Sequence, residues 1–366
     1  MSTASQQNMT AYRFRPNEDT PAVETLQIPT PSADEVLVKI LAAGVCHSDL
    51  TLLNPKSQMH SALVPAGSFT MGHEAAGVIA SLGSNVASTN PELPIGSYVA
   101  VYALNSCYKP SCYNCSHGME NRCGALAYGL GSDGSWAAYT AVRATCVVRV
   151  PGTPAQIASG VASTATDAIL TPYHAMKTCC GVRPEHTVLC VGIGGLGLNA
   201  VAIAKRCLGA RRVIACDTRE VALRLAQEAG ADCGATPDSL PGMLADRQLV
   251  VDFALDFVGT QATYELCFSA IRCGGTIHVA GIAAPTLSIP PLKAMTKELT
   301  FKTSYWGTKR ELVEVLQAIA DGQLNPKVEM RPMGEVGQVL EDMRNGKLTS
   351  RVALYPPAAS STTVSL

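Results

Sequence analysis

The sequence lacks any long uncharged apolar run. No stretch of about 18 or more such residues, the length that a membrane-spanning helix needs, occurs among its 366 positions. The segment from Met1 to Thr10 is polar and has no apolar core of the kind found in secretory signals. We therefore expect a cytoplasmic protein with no membrane partner.

Net charge is also nearly absent. Lys and Arg total 28 and Asp and Glu total 29, which leaves a net charge of −1. Nucleic-acid-binding proteins carry clustered positive charge, so we expect no nucleic-acid partner. Hydrophobic residues make up 47% and charged residues 16% of the chain. This composition is typical of a globular protein, and the length suits about two domains with cores of their own.

Cysteine, in contrast, is plentiful. The chain has 14 cysteines, and some of them, such as Cys190 and Cys216, lie inside apolar runs that look like strands. In a long chain without a signal peptide this usage indicates a reducing compartment. Clustered cysteines then favour metal binding or catalysis over cross-links.

The pattern of the chain changes from strand-rich to alternating. The first third has short apolar runs between Gly, Pro and Ser, which predict a β-rich domain. From about Ala168, strands alternate with helices, which predicts a parallel sheet. The predicted early strands are 35–41, 77–80 and 98–102. The later predictions are strands 187–191, 212–216, 249–257 and 276–280 and helices 196–208, 219–228, 309–321 and 334–344.

A glycine-rich turn follows the first strand of the alternating part. It has the pattern G-x-G-x-x-G, in which the glycines permit a tight turn and close approach to a pyrophosphate at a helix N-terminus. Twenty residues after the last glycine stands Asp217, placed to accept hydrogen bonds from a ribose and to repel a 2′-phosphate. This indicates NAD(H), although Arg219 weakens the preference and Asp217 is alternatively a helix cap. The turn contains Gly192, Gly194, Gly195, Leu196 and Gly197.

Two groups of residues carry metal-ligand chemistry. Cys46 and the pair His73 and Glu74 offer thiolate, imidazole and carboxylate donors that suit zinc, but only if the fold brings them together. The second group is a set of cysteines with spacings of four, two and seven residues, typical of an all-thiolate structural zinc site. The alternative is a set of free surface thiols. This second group is Cys107, Cys112, Cys115 and Cys123.

These motifs, in this order, resemble the zinc-dependent medium-chain dehydrogenases of the alcohol dehydrogenase superfamily. The resemblance runs from about Met9 to Tyr355. It implies an α/β fold with a β-rich GroES-like catalytic domain and a Rossmann domain, a doubly wound parallel sheet that binds the dinucleotide. The implied boundaries are 1–167 with 304–366 for the catalytic domain, and 168–303 for the Rossmann domain.

Two segments narrow the resemblance. Residues 166–174 are similar to the branch whose third zinc ligand is Asp instead of Cys. Residues 252–259 and 304–308 are similar to microbial NAD-dependent secondary alcohol dehydrogenases, which act on ketones and secondary alcohols, often with aryl groups. The implied cofactors are therefore catalytic zinc, a structural zinc and NAD(H). The implied partner is a small-molecule alcohol or ketone, and the implied assembly is a homodimer or homotetramer.

The resemblance also assigns roles to residues. Cys46, His73 and Asp167 would hold the catalytic zinc, with Glu74 as an exchangeable fourth ligand. Asp49 would orient His73, as metal-bound imidazoles require. Ser48 would carry the substrate proton outward through the ribose and Thr51 or His47. His47 would also face the pyrophosphate. Thr171, Val258, Ala280 and Ile282 would lie against the nicotinamide, and Tyr305 and Trp306 would line the substrate pocket.

Some of these roles have plain structural alternatives. Asp167 is alternatively a helix cap, His47 a surface residue, and Tyr305 and Trp306 ordinary core or interface aromatics. His174 is interpreted as structural. The gap of four residues between Cys107 and Cys112 is two longer than the family pattern, so residues 108–111 must bulge if Cys107 is a ligand. Thr51 stands where some members have a relay histidine.

Three functions are compatible with these features. The first is a zinc- and NAD-dependent oxidoreductase acting on secondary alcohols and ketones or related alcohols and aldehydes, with a role in specialised metabolism as one option. The second is a zinc-independent enone or quinone reductase of the same superfamily, against which the ligand set counts. The third is a non-catalytic cofactor-binding protein, against which the presence of Ser48 counts. Metal content and turnover separate the three.

Overall fold

The computed structural model describes residues 7–124 and 126–357. Residues 1–6 of the polar N-terminal stretch lie outside the described residues. The strands are β1 (Asn8–Phe14), β2 (Ala22–Gln27), β3 (Glu35–Val45), β4 (Phe69–Thr70), β5 (Ala75–Leu82), β6 (Tyr98–Val101), β7 (Ala127–Tyr128), β8 (Gly131–Ser132), β9 (Tyr139–Arg143), β10 (Val147–Arg149), β11 (Thr187–Val191), β12 (Arg212–Cys216), β13 (Cys233–Ala235), β14 (Val251–Asp256), β15 (Ile271–Val279), β16 (Thr300–Thr303), β17 (Val328–Pro332) and β18 (Arg351–Tyr355).

Most helices are short. They are α1 (His47–Leu53), α2 (Gln58–Leu63), α3 (Val86–Thr89), α4 (Tyr113–Ser116), α5 (Ser159–Thr164), α6 (Leu170–His174), α7 (Gly195–Ala202), α8 (Glu220–Ala229), α9 (Leu240–Asp246), α10 (Gln261–Ala270), α11 (Pro291–Thr296), α12 (Lys309–Ala320) and α13 (Val336–Arg344). Wider π-helical turns cover Ala165–Ile169, Ala175–Cys180 and Ile203–Cys207. Among the described residues, no helix combines the length and the apolar character that a bilayer crossing requires.

The chain forms two compact units. The first contains residues 1–105, 126–164 and 328–366, and the second contains 106–125 and 165–327. The cysteine-rich loop and residues 304–327 lie with the second unit, whereas the sequence analysis placed both in the catalytic domain. Hydrogen bonds explain this grouping, since Lys309 N–H donates to the Glu120 carboxylate and Asn121 donates to the Tyr305 carbonyl. The functional domain boundaries stay a prediction.

The first unit is built on mainly antiparallel sheets, although β17 pairs with β18 in parallel. Its main sheet has seven strands in the order β10-β6-β5-β3-β18-β17, with β9 also paired to β3. A smaller sheet has the order β2-β1-β4. Apolar side chains of β3 and β5, such as Val38, Ile40 and Ile79, are buried between the elements of this unit. This is the β-rich domain that the sequence predicts.

The second unit is a six-stranded parallel sheet in the order β13-β12-β11-β14-β15-β16. All of its pairings are parallel, and the order reverses direction between β11 and β14, the place where doubly wound folds bind dinucleotides. Its core contains Leu189, Ile214 and Tyr264. The predicted Rossmann architecture is confirmed, and strands 187–191 and 212–216 have the predicted bounds.

Candidate active site

Cys46, His73 and Glu74 lie together in the first unit. Cys46 directly follows β3, and the other two directly precede β5. Because β3 and β5 are antiparallel neighbours, with Ala43 opposite Ala75, these ends of the strands meet. The three residues are buried and bring a sulfur, a ring nitrogen and a carboxylate oxygen within 4.8 Å of one another. The fold thus brings these three donors together, which the sequence alone could not show.

Asp49 supports this group from the first turn of α1. One of its carboxylate oxygens, Oδ2, accepts a hydrogen bond of 2.8 Å from the Cys46 N–H. The other, Oδ1, lies 3.3 Å from His73 Nδ1, and both side chains are almost fully buried. With the Asp49 carboxylate at Nδ1 of His73, the other ring nitrogen, Nε2, is left to face a metal. This is the arrangement expected if Asp49 orients His73.

The hydroxyl groups near Cys46 differ in their surroundings. Ser48 Oγ lies 3.4 Å from the Cys46 sulfur and is half-buried. Thr51 donates its hydroxyl to the His47 carbonyl at 3.1 Å, one turn earlier in α1. The His47 residue itself is exposed. The Ser48 hydroxyl is therefore within contact distance of a predicted ligand, the Cys46 sulfur.

Glu74 has a partner that the sequence analysis did not identify. Arg351, the first residue of β18, forms a buried ion pair with the Glu74 carboxylate. The sequence feature that could have pointed to this ion pair is an arginine at the start of an otherwise apolar strand. A carboxylate that is already charge-compensated can approach or leave a cation without becoming an isolated buried charge. This pairing fits the exchangeable role predicted for Glu74.

Asp167 lies in the π-helical turn Ala165–Ile169 of the second unit and is buried. Thr171, one turn further on, donates its hydroxyl to the Asp167 carboxylate at 2.8 Å. An N-cap residue stands before the first turn of a helix, whereas Asp167 lies inside a continuous helical run from Ser159 to Cys180. The capping alternative is therefore wrong, and the role of Asp167 as a ligand stays a prediction.

The four loop cysteines point their sulfurs at one another. Their sulfur atoms lie within 4.8 Å of one another, with 3.7 Å from Cys107 to Cys115 and 4.0 Å from Cys112 to Cys123. Zinc–sulfur bonds of about 2.3 Å in a tetrahedron separate the sulfurs by about 3.8 Å. The spacing therefore fits a tetrahedral metal. Because the sulfurs converge, the alternative of scattered surface thiols does not fit.

Cys107 joins this cluster despite its unusual spacing. Tyr108 adopts a left-handed backbone conformation with φ of 50°, and Pro110 and Ser111 form a turn that returns the chain to Cys112. This is the outward bulge that the sequence analysis required. Hydrogen bonds, the largest from the Lys109 backbone, lower the pKa of Cys107 to about 7, whereas burial raises the pKa of Cys115 to about 12.

The glycine-rich turn has the shape that the motif predicts. Gly192 has a φ of +85°, and a Cβ on Gly197 would stand 1.9 Å from the Gly192 carbonyl, so both positions require glycine. A Cβ on Gly194 would meet nothing within 4 Å, which leaves open space over the turn. The helix α7 begins at Gly195 and directs its free N–H groups at this space. The turn therefore fits a pyrophosphate.

Asp217 lies at the end of β12, beside this turn. Its carboxylate accepts hydrogen bonds from the Ile193 N–H at 2.7 Å and from the Arg219 N–H at 2.9 Å, and it forms an ion pair with the Arg219 guanidinium. Burial raises the pKa of Asp217, but the hydrogen bonds from Arg219 and Ile193 outweigh burial and hold the pKa below its usual value. Asp217 is thus ionised, as a ribose acceptor must be.

Three of the predicted nicotinamide-side residues, Val258, Ala280 and Ile282, follow strands at the same carboxyl edge of the sheet. Val258 follows β14, and Ala283 N–H donates to its carbonyl at 3.1 Å, which ties residues 280–283 after β15 to it. The Asp256 carboxylate accepts hydrogen bonds from the Val258 and Gly259 N–H groups and fixes this loop. Thr171 lies in α6 and is buried, whereas Ile282 is exposed.

The segment with the predicted pocket aromatics is fixed by the cysteine-rich loop. Asn121 donates to the Tyr305 carbonyl at 2.9 Å, and Lys309 N–H donates to Glu120 at 2.7 Å. Trp306 is buried with a left-handed φ of 51°, and Tyr305 is 54% exposed and meets it edge to face. The role of both aromatics in substrate binding stays a prediction.

A buried ion pair lies in the second unit. His174 Nδ1 is 2.8 Å from Glu311 Oε2, and both residues are almost fully buried. Burial lowers the pKa of His174, but hydrogen bonds with Cys179 and Glu311 outweigh burial and raise that pKa to about 9. Burial raises the pKa of Glu311, but hydrogen bonds from His174, Thr178 and Thr308 lower it to about 2. The sequence favours a structural role for His174 but does not indicate its partner.

This pair predicts a loss of stability at alkaline pH. The raised pKa of His174 stabilises the folded protein. This contribution is fully present below about pH 6.5 and is lost as the pH rises through about 9. The lowered pKa of Glu311 contributes stability that is complete above about 4.5 and is lost as pH falls through about 2. We expect the free energy of unfolding, measured in guanidinium chloride, to fall by about 3 kcal/mol between pH 6.5 and 9.

The variant H174N is the control for this prediction. It should flatten the alkaline limb of the curve while lowering stability at pH 6. Cys179 hydrogen-bonds to His174, and His278 interacts with it electrostatically. Burial lowers the pKa of His278 to about 4, so His278 stays neutral over this range. Equally steep alkaline limbs in wild type and H174N would assign the pH dependence to other groups.

Comparison with known proteins identifies the family. Residues 32–152 match the alcohol dehydrogenase GroES-like domain, and residues 195–321 match the zinc-binding dehydrogenase domain. An alcohol dehydrogenase of Geobacillus stearothermophilus is 30% identical over 353 residues, covering 92% of this chain and 97% of that protein. An alcohol dehydrogenase of Rhizobium meliloti is 30% identical over 336 residues, covering 91% of this chain and 94% of that protein.

Solved structures agree with these relatives. The acetophenone reductase of Geotrichum candidum, solved in complex with NAD, superposes with a TM-score of 0.82 at 28% identity and covers 97% of this chain and 98% of its own. The alcohol dehydrogenase of Aeropyrum pernix superposes with a TM-score of 0.85 at 28% identity, covering 95% and 100%.

The chain belongs to the zinc-type medium-chain alcohol dehydrogenase superfamily. It is an NAD-dependent oxidoreductase of the alcohol dehydrogenase type, and Zn²⁺ and NAD(H) are the cofactors of its family.

Proposed function

We propose that this protein transfers hydride between NAD(H) and a secondary alcohol or ketone, and that the reaction depends on zinc held by Cys46, His73 and Asp167. The observation that carries the proposal is the buried convergence of the Cys46, His73 and Glu74 donor atoms, with Asp49 behind His73. Sulfur, nitrogen and carboxylate donors form a typical catalytic zinc set. The enone-reductase alternative needs none of these donors.

Zinc, when bound, supplies Lewis-acid chemistry that lowers the pKa of a hydroxyl group, to about 7 in the case of water. A serine–histidine pair alone gives general-base catalysis of only about 10²–10⁴-fold. Cys46, His73 and Asp167 would therefore hold the main catalytic group. Asp49 would fix the ring of His73, and the Arg351 ion pair would keep Glu74 charge-compensated while it exchanges.

Ser48 would move the substrate proton. Its hydroxyl lies 3.4 Å from the sulfur of Cys46, one of the residues that would hold the zinc, so it would be placed to take a proton from a substrate bound there. Proton release outward would pass through the ribose and Thr51 or His47. The hydroxyl of Thr51 is donated to the His47 carbonyl, so its oxygen could act as the acceptor in such a relay.

The second unit would hold the dinucleotide. The open space over Gly194 and the N-terminus of α7 suit the pyrophosphate, and the Asp217 carboxylate suits the adenosine ribose. The fixed loops after β14 and β15, with Val258 and Ala280, would support the nicotinamide together with Thr171. The predicted homodimer or homotetramer and the cytoplasmic location stay expectations.

We further propose that the substrate is an aryl ketone or the corresponding secondary alcohol. The support is the similarity to the acetophenone reductase and the aromatic pair Tyr305 and Trp306. The isomers 1-phenylethanol and 2-phenylethanol test it, because they differ only in whether the alcohol is secondary or primary. We expect kcat/KM for NADH formation to be at least about tenfold higher for the secondary isomer. Equal rates would contradict the secondary-alcohol preference while leaving dehydrogenase activity intact.

A further inference from the structure

His73 lies just beyond the end of the main sheet. The antiparallel pairing of β3 with β5 reaches Ala75, two residues after His73. A hydrogen bond of 2.9 Å from the Gly44 N–H to the Glu74 carbonyl extends this contact by one residue. The position of the His73 backbone therefore depends on what holds the residues on either side of it, Gly72 and Glu74.

Ser135 holds both of the backbone carbonyls that flank His73. It is buried, and its N–H donates to the Gly72 carbonyl at 2.9 Å. Its hydroxyl donates to the same carbonyl at 2.9 Å and to the Glu74 carbonyl at 3.3 Å. Without the hydroxyl, the Gly72 carbonyl would keep the Ser135 N–H and the Glu74 carbonyl would keep the Gly44 N–H. The hydroxyl therefore adds precision to the position of His73 and is not needed to satisfy either carbonyl.

Trp136 connects the segment that carries His73 with the segment that carries Cys46. It is fully buried, and its indole Nε1–H donates at 3.2 Å to the carbonyl of Gly44, two residues before Cys46. The same ring packs against Gly72, where φ is +91° and a Cβ would stand 2.3 Å from the indole Cδ1. The indole thus contacts both segments, and its size helps to set the distance between them.

We propose that Ser135 and Trp136 are positioning residues of the metal site that Cys46 and His73 would form. Ser135 fixes the backbone on both sides of His73, and Trp136 spaces that backbone from the segment that leads to Cys46. Ligands that are held in place before the metal arrives lose less freedom when they bind it. This inference rests on the proposed function, because it concerns the catalytic zinc.

The zinc affinity of the purified protein, measured by competition with a chromophoric chelator, tests this assignment. In S135A and in W136F we expect the affinity of the catalytic site to fall about tenfold or more, as is usual when a residue that orients a ligand is replaced. The four-cysteine loop should keep its zinc in both variants and so provides an internal reference. The visible spectrum of the cobalt(II)-substituted protein reports ligand geometry and should change in both variants.

The variant Y98F is the matched control. Tyr98 lies in the same unit, is buried, and donates its hydroxyl to the Ile157 carbonyl at 2.9 Å. Y98F therefore also removes one buried hydroxyl that bonds a backbone carbonyl, but from a residue outside the donor group. It should keep the zinc affinity and the cobalt spectrum of the wild type.

The contrary results differ from one another. Wild-type zinc affinity with an unchanged cobalt spectrum in S135A or in W136F would make that residue a general support of the fold and overturn the inference. An equal loss of zinc affinity in Y98F would also overturn it, because any buried hydroxyl would then have the same effect. A wild-type protein that binds zinc in the four-cysteine loop alone would instead overturn the proposed function itself.

Discussion

The variant C46S is expected to lower kcat/KM for NADH formation by about 10⁴-fold or more. Serine is not a thiolate and is a poor zinc ligand, so the donor set around His73 loses its sulfur. The Lewis-acid contribution lost with the metal exceeds what Ser48 supplies alone, which is at most about 10⁴-fold. Steady-state rates with 1-phenylethanol measure this effect.

A second buried cysteine of the same unit provides the control. Cys146 is fully buried but lies outside the donor group of Cys46, His73 and Glu74, and its sulfur contacts the Leu104 carbonyl. The variant C146A should keep kcat/KM within a few-fold of wild type, with a loss of stability of about 1–2 kcal/mol. A C46S protein that is free of metal and still within tenfold of the wild-type rate would contradict the proposed chemistry.

The variant C115S is expected to lower the midpoint of thermal unfolding by about 10 °C or more. A structural zinc contributes many kcal/mol to the folding of its loop, and about 1 kcal/mol shifts the midpoint by about 2–4 °C in a domain of this size. The loop also fixes residues Tyr305 and Lys309 through Asn121 and Glu120. Loss of the metal should therefore loosen the start of α12 as well.

The exposed cysteine of the same unit gives the matched control. Cys273 is exposed in β15 and lies outside the four-thiol cluster, so C273S should unfold at the wild-type temperature. Hydrogen exchange should reveal faster exchange of the amides of residues 305–312 in C115S alone. If C115S and C273S unfold at the same temperature, the four thiols hold no stabilising metal.

Local patterns were enough to predict most of the fold. The strands β11 and β12 and the turn that begins at Gly192 follow from apolar runs and glycine spacing within about 30 residues, the length of one βαβ unit. The placement of Cys46 beside His73 needed the antiparallel pairing of β3 with β5, which composition does not encode. That Cys46 and His73 lie together was therefore predicted from the resemblance to the family and not from the residue pattern.

The missed features are all side-chain pairs. Arg351 and Glu74 are separated by 277 positions, and Glu311 and His174 by 137. No periodicity connects residues so far apart, because only the tertiary fold brings them together. The Arg219 guanidinium is two residues from Asp217, but its bond to the Ile193 carbonyl depends on the approach of the turn to β12. The sequence indicates that Arg219 affects the preference for NAD(H), but it does not show which groups Arg219 contacts.

Zinc content per chain, measured by elemental analysis of the wild type, C46S and C115S, tests the central claim most directly. Two separate sites predict about two zinc ions in wild type and about one in each variant, with activity lost in C46S. Two zinc ions and unchanged turnover in C46S would contradict the claim that Cys46 and His73 hold the catalytic metal.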